Sequence, residues 1–470
     1  MRQIRKHAFY LAAGIVSALL FAGNAYAQFV CPVTPLTLTG TLVEDGASFL
    51  IEVPANWNMT KTLFLYSHGY VVPGSPNPAM DVGDPLTRCF MLLNGFALAG
   101  SSYAHAGWAI QEALLDQIAV LDMFKLLVGQ PARTIAWGHS LGGIITAGLI
   151  QRNPERFDAA LPMCGVLSGG VATWNTALDS AFAFKTLFAP ELPALQIVDI
   201  TSPKANLGVA ETLLAEAQST PQGRARVALV SALGDGPGWF DPAAPEPAED
   251  DFASQEANQF TWAANVDFGF AFALRFELEF RAGGNVSSNV GVDYRKQLAH
   301  SIDREEVRAL YEQAGLDLNA DLDTLNDAAR VSADPRALEY LEQNIIFNGE
   351  IHIPVLTMHT EGDGLVVVQN ESAYKKVVDE AGNAKYLRRT FVHRAGHCTF
   401  TPAETITAVQ ALLSRLNTGK WSDLRAEDLN EGAAALGQLN IAPPAFSDFK
   451  PSQYLRTFDA LTEEKESRER

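Results

Sequence analysis

Short apolar runs alternate with longer amphipathic segments along much of the chain, and this alternation predicts strands and helices in turn. Strands are predicted at residues 62–67, 96–102, 133–137, 158–166, 353–359 and 386–393. Helices are predicted at residues 110–128, 143–150 and about 402–416. Two β-rich stretches around Glu44-Asp45-Gly46 predict an antiparallel hairpin before the first of these strands. The order predicts an α/β fold with a mostly parallel central sheet, right-handed crossovers and flanking helices.

The alternation stops after residue 168 and resumes at 353, a gap far too long for a loop in a compact domain. We therefore predict a mainly helical cap at 169–352, inserted between a first core part at 28–168 and a second at 353–420. Helical stretches within it are predicted at 209–217, 303–314 and 335–344, with a solvated proline-rich and acidic break at 234–251. Residues 421–470 are interpreted as a weakly packed C-terminal extension.

A stripe of phenylalanines in the cap has an ambiguous period. Phe268, Phe272, Phe276 and Phe280 recur every four residues, whereas Phe270 also gives strict alternation with its neighbours. The length of the segment favours a helix that ends at Gly283-Gly284. We expect the stripe to pack against the body of the protein, and lining a substrate pocket is the alternative.

Residues 1–27 have the organisation of a secretory signal peptide. Three basic residues precede an almost wholly apolar run at 8–22, and Ala25-Tyr26-Ala27 offers small residues at a cleavage site. The run is short for a membrane span, and no other segment of the sequence is long and apolar enough for one. We expect a secreted or periplasmic protein that begins at Gln28 after cleavage, without stable membrane insertion.

The chain is strongly acidic, and loss of Arg2, Arg5 and Lys6 with the signal peptide takes its formal charge from −19 to −22. A surface of this charge repels nucleic acid, so we expect no nucleic-acid partner. The sequence has no motif typical of a metal site or of a cofactor, and none is predicted. No pattern indicates an oligomeric state.

Four cysteines, Cys31, Cys89, Cys164 and Cys398, follow the signal peptide. An exported chain meets an oxidising compartment, and four cysteines allow two disulfides in three possible pairings. We prefer Cys31 with Cys89 and Cys164 with Cys398, because the second pair is expected at one edge of the sheet. Four buried free thiols are the alternative.

The stretch Gly138-His139-Ser140-Leu141-Gly142 joins a predicted strand to a predicted helix. A G-x-S-x-G sequence at such a junction is typical of a nucleophile elbow, a sharp turn that exposes the serine hydroxyl above the sheet. The glycines are needed because side chains would collide across the strained turn. Ser140 is therefore the candidate nucleophile, and His139 is interpreted as a support of the elbow.

A serine hydroxyl requires a nearby base, and the base requires an orienting acid. Asp363 lies in a polar turn after a buried strand and is the candidate acid, with Glu361 as the alternative. His397 lies in a glycine-containing loop after the last strand and is the candidate base. His393 competes with it but falls within the predicted strand, and His359 is interpreted as a buried structural residue.

Negative charge on a tetrahedral oxygen is commonly stabilised by two backbone N–H groups. His68-Gly69-Tyr70 follows the first central strand, so the Tyr70 N–H is one predicted donor of this oxyanion hole. The Leu141 N–H is the other, and the helix that begins there adds its positive end. His68 itself is expected to be structural.

These motifs resemble the α/β-hydrolase fold superfamily across residues 36–416, and in particular its exported serine esterases and lipases with a large inserted cap. The similarity lies in the HG oxyanion loop, the GHSLG elbow, and the aspartate followed by the histidine in the order of the superfamily. It implies a triad of Ser140, His397 and Asp363, and an acyl-enzyme intermediate.

His397-Cys398 is also similar to the tannases and feruloyl esterase-like enzymes, in which a disulfide ties the histidine loop to a cysteine beside the nucleophile. The residue before Ser140 is His139, however, and this departure argues against membership of that group. Cys164 would have to brace the histidine loop from another strand.

The sequence thus predicts a serine hydrolase that cleaves carboxylic esters with apolar or aromatic groups, in small or polymeric substrates. One alternative is a peptidase of the prolyl-oligopeptidase or tripeptidyl-aminopeptidase type, which would need an acidic clamp for the substrate amine, at residues 249–251 or 303–306. An acyltransferase is a third hypothesis, and a binding protein on an inactive hydrolase scaffold is a fourth.

Overall fold

The structure is a computed structural model that describes residues 31–458 of the 470-residue chain. The predicted signal peptide lies outside the described residues, as do residues 459–470. Between residues 31 and 458, no helix has the length and apolar character that a membrane span requires.

The strands of the described chain form a single sheet in the order β1-β2-β4-β3-β5-β6-β7-β8-β9. Their bounds are β1 Leu36–Thr41, β2 Ser48–Val53, β3 Thr62–Ser67, β4 Ala97–Ser101, β5 Arg133–His139, β6 Ala159–Met163, β7 Val355–Gly362, β8 Leu387–Ala395 and β9 Phe446–Ser447. Strand pairing is parallel from β4 through β3 to β8 and antiparallel at the two edges. The predicted mostly parallel sheet and the N-terminal hairpin are confirmed.

The helices that precede the cap or belong to it are α1 Pro85–Leu93, α2 Ile110–Leu127, α3 Leu141–Arg152, α4 Gly170–Phe188, α5 Pro203–Gln218, α6 Pro221–Ala232, α7 Phe252–Trp262, α8 Arg275–Ala282, α9 Tyr294–His300, α10 Arg304–Ala314, α11 Leu318–Asp327 and α12 Pro335–Gln343. Those that follow are α13 Asn370–Glu380, α14 Pro402–Thr418 and α15 Ala426–Ala434. We keep the name cap for residues 169–352, which contain α4 to α12, and call the remaining described residues the body.

Both faces of the sheet are buried, and the pleat of β3 divides its side chains between them. Leu63 and Leu65 pack into one apolar cluster, whereas Phe64 and Tyr66 pack into another on the opposite face. This is why the central strands are continuous apolar runs without polar alternation. The cap has an apolar cluster of its own, built mainly from α4 to α6 and α9 to α11.

The parallel strands end at one edge of the sheet, and four of these ends carry the candidate chemistry. β3 ends at Ser67, β5 at His139, β7 at Gly362 and β8 at Ala395. The segments that leave these strands contain the oxyanion loop, the serine, the aspartate and the histidine. Residues that are far apart in the chain therefore meet at this edge.

The predicted weak packing of the C-terminal extension is wrong for its described part. Helix α15 packs against α14, and β9 pairs with β8 as the last strand of the sheet. Leu429 and Phe446 join the apolar cluster on one face of the sheet. Tyr454, near the end of the described chain, is also buried. A two-residue strand and isolated apolar residues gave no periodic signal from which this packing could be predicted.

Candidate active site

Ser140 occupies a strained turn between β5 and α3. Its φ of 58° and ψ of −123° are rare for a residue with a side chain. A Cβ atom at Gly142 would lie 1.9 Å from the Ser67 carbonyl oxygen, and one at Gly138 would lie 2.5 Å from the same oxygen. Both glycines are therefore required by the close approach of β3, as the elbow motif predicts.

Three predicted residues form one hydrogen-bonded chain at the edge of the sheet. The Ser140 Oγ lies 2.7 Å from His397 Nε2, and His397 Nδ1 lies 2.6 Å from Asp363 Oδ2. The other carboxylate oxygen of Asp363 accepts the N–H groups of Leu365 and Val366 at 3.0 and 2.9 Å. The carboxylate is thereby fixed from both sides, and it orients the imidazole toward the serine.

The charge state of Asp363 follows from its neighbours. Burial alone would raise its pKa, but His397 and His359 outweigh burial and hold the pKa below its usual value. For His359, burial is outweighed by the carboxylates of Asp363 and Glu371, which lie 3.6 and 3.2 Å from its two ring nitrogens and raise its pKa to about 10. Asp363 is therefore an ionised carboxylate at neutral pH, with positive charge close to it.

The alternative acid and base lie apart from this chain. Glu361 Oε2 pairs with His393 Nδ1 at 2.8 Å, and its other oxygen accepts the Ser447 hydroxyl. His393 is half-exposed and also contacts Glu246 at 3.1 Å. Glu361 and His393 thus form an ion-pair group with the acidic loop of the cap, separate from Ser140.

Two further histidines support the site without a contact to the serine hydroxyl. His359 is fully buried, as predicted, and its Nε2 lies 2.7 Å from the Val366 carbonyl oxygen. His139 Nδ1 lies 3.1 Å from the Tyr66 hydroxyl, and burial lowers its pKa to about 4. A neutral, enclosed imidazole of this kind fills space beneath the elbow.

The predicted oxyanion loop lies directly against the serine. A Cβ atom at Gly69 would lie 3.3 Å from the Cβ of Ser140, so the loop backbone borders the nucleophile. Leu141 is the first residue of α3, and the N–H groups of the first helical turn have no partner within the helix. The loop itself is held by Tyr103, whose hydroxyl donates to the His68 carbonyl oxygen at 3.0 Å and whose ring stacks on the imidazole.

Both disulfides of the preferred pairing are present, Cys31–Cys89 and Cys164–Cys398. Cys398 directly follows His397, and Cys164 directly follows β6. The second disulfide therefore ties the histidine loop to the adjacent end of the sheet. The two sulfurs lie within 4.8 Å of an imidazole nitrogen of His397, but as a disulfide they are not thiolate ligands for a metal ion.

A cavity of about 170 Å³ extends from Ser140 into the cap. Its walls are predominantly apolar and come from the oxyanion loop, the segment after Asp363 and several cap elements. Aromatic side chains of both units contribute, namely Tyr70, Trp108, Trp174, Phe184, Phe268, Phe270, Phe272 and Tyr454. Among the described wall residues there is no Lys, Arg or His, and the one acidic residue is Asp267.

The phenylalanine stripe divides into two halves. Phe268 and Phe272 are buried in the cap cluster and also line the cavity, whereas Phe276 is 40% exposed and Phe280 81% exposed. One π-helical turn, Phe270–Leu274, lies within the stripe and changes its register, and another, Ala263–Asp267, directly precedes it. Phe268 and Phe272 pack within the cap, whereas Phe270 packs against Tyr70 of the body as predicted, with ring centroids 5.3 Å apart. All three also line the cavity, so the pocket alternative is realised as well.

Two wall residues could not be recognised from the sequence. Tyr454 reaches the cavity from the C-terminal segment and shares a hydrogen bond of 2.9 Å with Thr176. Nothing in the sequence distinguishes Asp267 from the other acidic residues of the cap. Neither belongs to a periodic pattern or a motif, and both reach the cavity through tertiary packing alone.

The two stretches proposed as an acidic clamp lie elsewhere. Residues 249–251 are exposed on the cap surface, and Asp251 caps α7 through the Ser254 N–H. Glu306 is buried beside Gln259 and not in the cavity wall. Burial, with Asp303 and Glu256 close by, raises the pKa of Glu306 to about 9.

No family model matches the chain. It is 30% identical over 423 residues to the o-phthalyl amidase of Xanthobacter agilis, covering 83% of this chain and 90% of that protein.

Solved structures with similar folds include an esterase from Aspergillus oryzae, with 13% identity, a TM-score of 0.43 and coverage of 83% of this chain and 81% of that one. Another is the acylaminoacyl peptidase of Pyrococcus horikoshii, with 10% identity, a TM-score of 0.39 and coverage of 87% of this chain. This chain spans 45% of that peptidase.

The similarity to the amidase extends over most of both chains, and the described residues form the mostly parallel sheet and the elbow that the sequence predicts for an α/β-hydrolase. The chain is a hydrolase that belongs to the α/β-hydrolase superfamily, in the same family as o-phthalyl amidase.

Proposed function

We propose that the protein is a serine hydrolase that cleaves carboxylic esters or amides of apolar or aromatic acids. The observation that carries this proposal is the hydrogen-bonded chain from Ser140 through His397 to Asp363 at the mouth of an apolar cavity. A nucleophile, a base within hydrogen-bond distance and a fixed acid are the requirements of covalent acyl transfer.

In the proposed reaction, His397 Nε2 takes the hydroxyl proton of Ser140 as the oxygen attacks the substrate carbonyl carbon. The N–H groups of Tyr70 and Leu141 stabilise the negative oxygen that forms. The bond to the alcohol or amine breaks, and His397 returns the proton to that leaving group. Water then attacks the acyl-enzyme with His397 as its base, which releases the acid and restores Ser140.

The cavity supports an apolar or aromatic substrate group. A cavity of roughly 150 Å³ lined by apolar residues is large enough to bind benzene, and this cavity has a volume of about 170 Å³. Because Phe268, Trp174 and Phe184 form part of its wall, we propose that the cap sets substrate specificity.

Amide cleavage is the second candidate within this proposal. It is favoured by the similarity to an amidase over most of both chains. Ester and amide hydrolysis use the same nucleophile and base, and an amide demands protonation of its poorer leaving group by His397. The peptidase alternative is the case in which the leaving group is an amino acid or peptide.

A matched series of benzoyl and phenylacetyl para-nitrophenyl esters and para-nitroanilides tests the proposal. The wild type is expected to cleave members of the series, and Ser140→Ala is expected to lose activity by about three orders of magnitude or more. Ser202→Ala, which changes an exposed serine of the cap, serves as the control and should behave as the wild type. Activity that survives in Ser140→Ala would contradict the proposed nucleophile.

We further propose that the protein is exported. The support is the composition of residues 1–27 together with the two disulfides. Expression of the full chain in a bacterial host, followed by N-terminal sequencing of the exported fraction, should give Gln28 as the first residue. Retention of the whole chain in the cytoplasm would contradict export.

A further inference from the structure

Asp267 is an acidic residue in the wall of an otherwise uncharged cavity. It ends the first π-helical turn of the cap, Ala263–Asp267, and it lines the same cavity as Ser140. Asp267 is partly accessible to solvent. Because it lines the cavity, we assign this accessible surface to the cavity wall. A substrate bound at Ser140 would therefore meet this carboxyl group.

No partner in the described residues satisfies the Asp267 carboxyl. It takes part in no hydrogen bond or ion pair there, and the described cavity wall offers no Lys, Arg or His. Asp179 of the cap, by contrast, is a buried acid that pairs with Arg456 and accepts hydrogen bonds from Tyr294 and Gln297. Burying an acid without a partner reduces the stability of the folded protein, and such groups are concentrated at binding and catalytic sites.

The electrostatic surroundings define what can bind there. Burial, and then the negative charge of Asp363, raise the pKa of Asp267 to about 7. The group is thus close to balance between its neutral and ionised forms, and a cationic or N–H donor ligand would stabilise the ionised form. An anionic substrate group would find no positive side chain in the described wall to compensate this carboxyl.

We propose that Asp267 is a specificity-determining residue that binds an amino group of the substrate while Ser140 attacks the substrate carbonyl. The substrate class is an ester or amide that carries an amine on its apolar moiety. Asp267 provides the acidic clamp that an amine-bearing substrate requires. This inference rests on the proposed function, since it needs a substrate at Ser140.

Two esters that differ only in the amino group provide the test. Methyl esters of phenylalanine and of phenylpropionic acid have the same ring and chain, and only the first has the amine. We expect the wild type to favour the amino ester in kcat/KM by about tenfold, the effect of one charge-assisted hydrogen bond. In Asp267→Asn this ratio should fall toward one, mainly through a higher KM for the amino ester.

Asp250→Asn is the matched control, because it removes the same charge from an exposed position outside the cavity wall. It should keep the wild-type ratio. A purely structural role of Asp267 would lower the rates for both esters alike and leave their ratio unchanged, which would overturn the inference. A wild type without preference for the amino ester would overturn it as well.

A binding measurement keeps the inference testable without turnover and without a variant. Calorimetric titration of the wild-type protein with phenylethylamine and with phenylethanol compares an amine with an uncharged alcohol of similar shape. Tighter binding of the amine is expected, and equal binding would overturn the inference. If the esters are cleaved with dependence on Ser140 but without amine preference, only this inference fails. If Ser140→Ala retains the activity, the proposed function fails.

Discussion

The acids around His359 in the body and those around Glu306 in the cap are buried in opposite ways. In the body, Asp363 and Glu371 are buried on either side of His359, so that negative groups enclose a positive one. In the cap, burial raises the pKa values of Glu256 and Asp303 to about 7 and that of Glu306 to about 9. The positive His359 compensates the acids beside it, whereas burial favours the neutral forms of the acids around Glu306.

This difference indicates that the body holds its candidate residues in one arrangement, whereas the cap can respond to its surroundings. Compensated charges at the ends of parallel strands hold catalytic candidates in one arrangement, as the short contacts of His397 require. In the cap, Glu256, Asp303 and Glu306 are neutral at low pH and gain charge as the pH rises past about 7 to 9, so the interactions of these acids depend on pH. The following changes test the contrast between the two units, from the largest expected effect to the smallest.

Replacement of the acid should remove catalysis and leave the fold intact. In Asp363→Asn, His397 loses the carboxylate that orients it, and we expect kcat to fall by about four orders of magnitude. The measurement is kcat and KM on a cleaved ester, with thermal unfolding as the check on folding. Glu361→Gln is the control, since Glu361 pairs with His393 outside the site, and it should retain most of the activity. Loss of activity in Glu361→Gln instead would reverse the assignment of the acid.

Replacement in the cap should act on stability and specificity together. In Phe268→Ala, the lost contacts with Phe184 and Phe272 should cost about 3–5 kcal/mol of unfolding free energy. The KM for aromatic substrates should also rise, since the ring lines the cavity. Denaturant unfolding and steady-state kinetics measure the two effects.

The control is Phe280→Ala, which changes the exposed end of the same stripe. It should alter the unfolding free energy by less than about 0.5 kcal/mol. Equal effects of the two substitutions would show that the division of the stripe is incorrect.

Loss of one disulfide should affect activity more than loss of the other. Replacing Cys164 and Cys398 with alanine frees the histidine loop, and a displacement of about 1 Å at His397 can cost about a hundredfold in rate. We expect kcat to fall about ten- to a hundredfold. The Cys31→Ala and Cys89→Ala double variant should lose stability but keep its kcat, because its disulfide ties residue 31 to α1 and not a loop that carries a triad candidate. Equal kcat in the two double variants would contradict a positioning role of the second disulfide.

Alkaline pH should loosen the cap before it affects the body. Folding raises the pKa of Glu306 from 4.5 to about 9, so the associated stability is complete below pH 4.5 and is lost as the pH rises through about 9. Across this window we expect a loss on the order of 1 kcal/mol per pH unit from this group. Hydrogen exchange of cap amides against pH measures it, and Glu306→Gln should flatten the dependence. An equal pH dependence in this variant would exclude Glu306 as the source.

Much of the body could be predicted from sequence, because its signals are local. The β3 strand agrees with the predicted 62–67, and α14 begins at Pro402 as expected. Ser140, His397 and Asp363 could be chosen as candidates because each follows a recognisable strand, and parallel strands bring their ends to one edge. The glycines of the elbow predicted a close approach of two backbone segments, and Gly138 and Gly142 do lie against the Ser67 carbonyl oxygen.

The cap could be predicted only as an inserted helical unit. Its stripe of phenylalanines had an ambiguous period, and the π-helical turn Phe270–Leu274 lies between the buried Phe268 and the exposed Phe276 and Phe280. Asp267 and Tyr454 reach the cavity through tertiary packing, which no sequence period encodes. Helix α4, whose apolar residues are spread around its circumference, likewise gave no amphipathic pattern to detect.

The contact between Tyr454 and Thr176 has a consequence for synthesis. A ribosome delivers Ser140, Asp363 and His397 before it delivers the residue that closes the cavity wall. The nascent chain can thus hold all three candidate groups while its cavity still lacks one wall residue. The cavity wall is therefore completed late in synthesis, by a C-terminal segment that carries none of the three candidate residues.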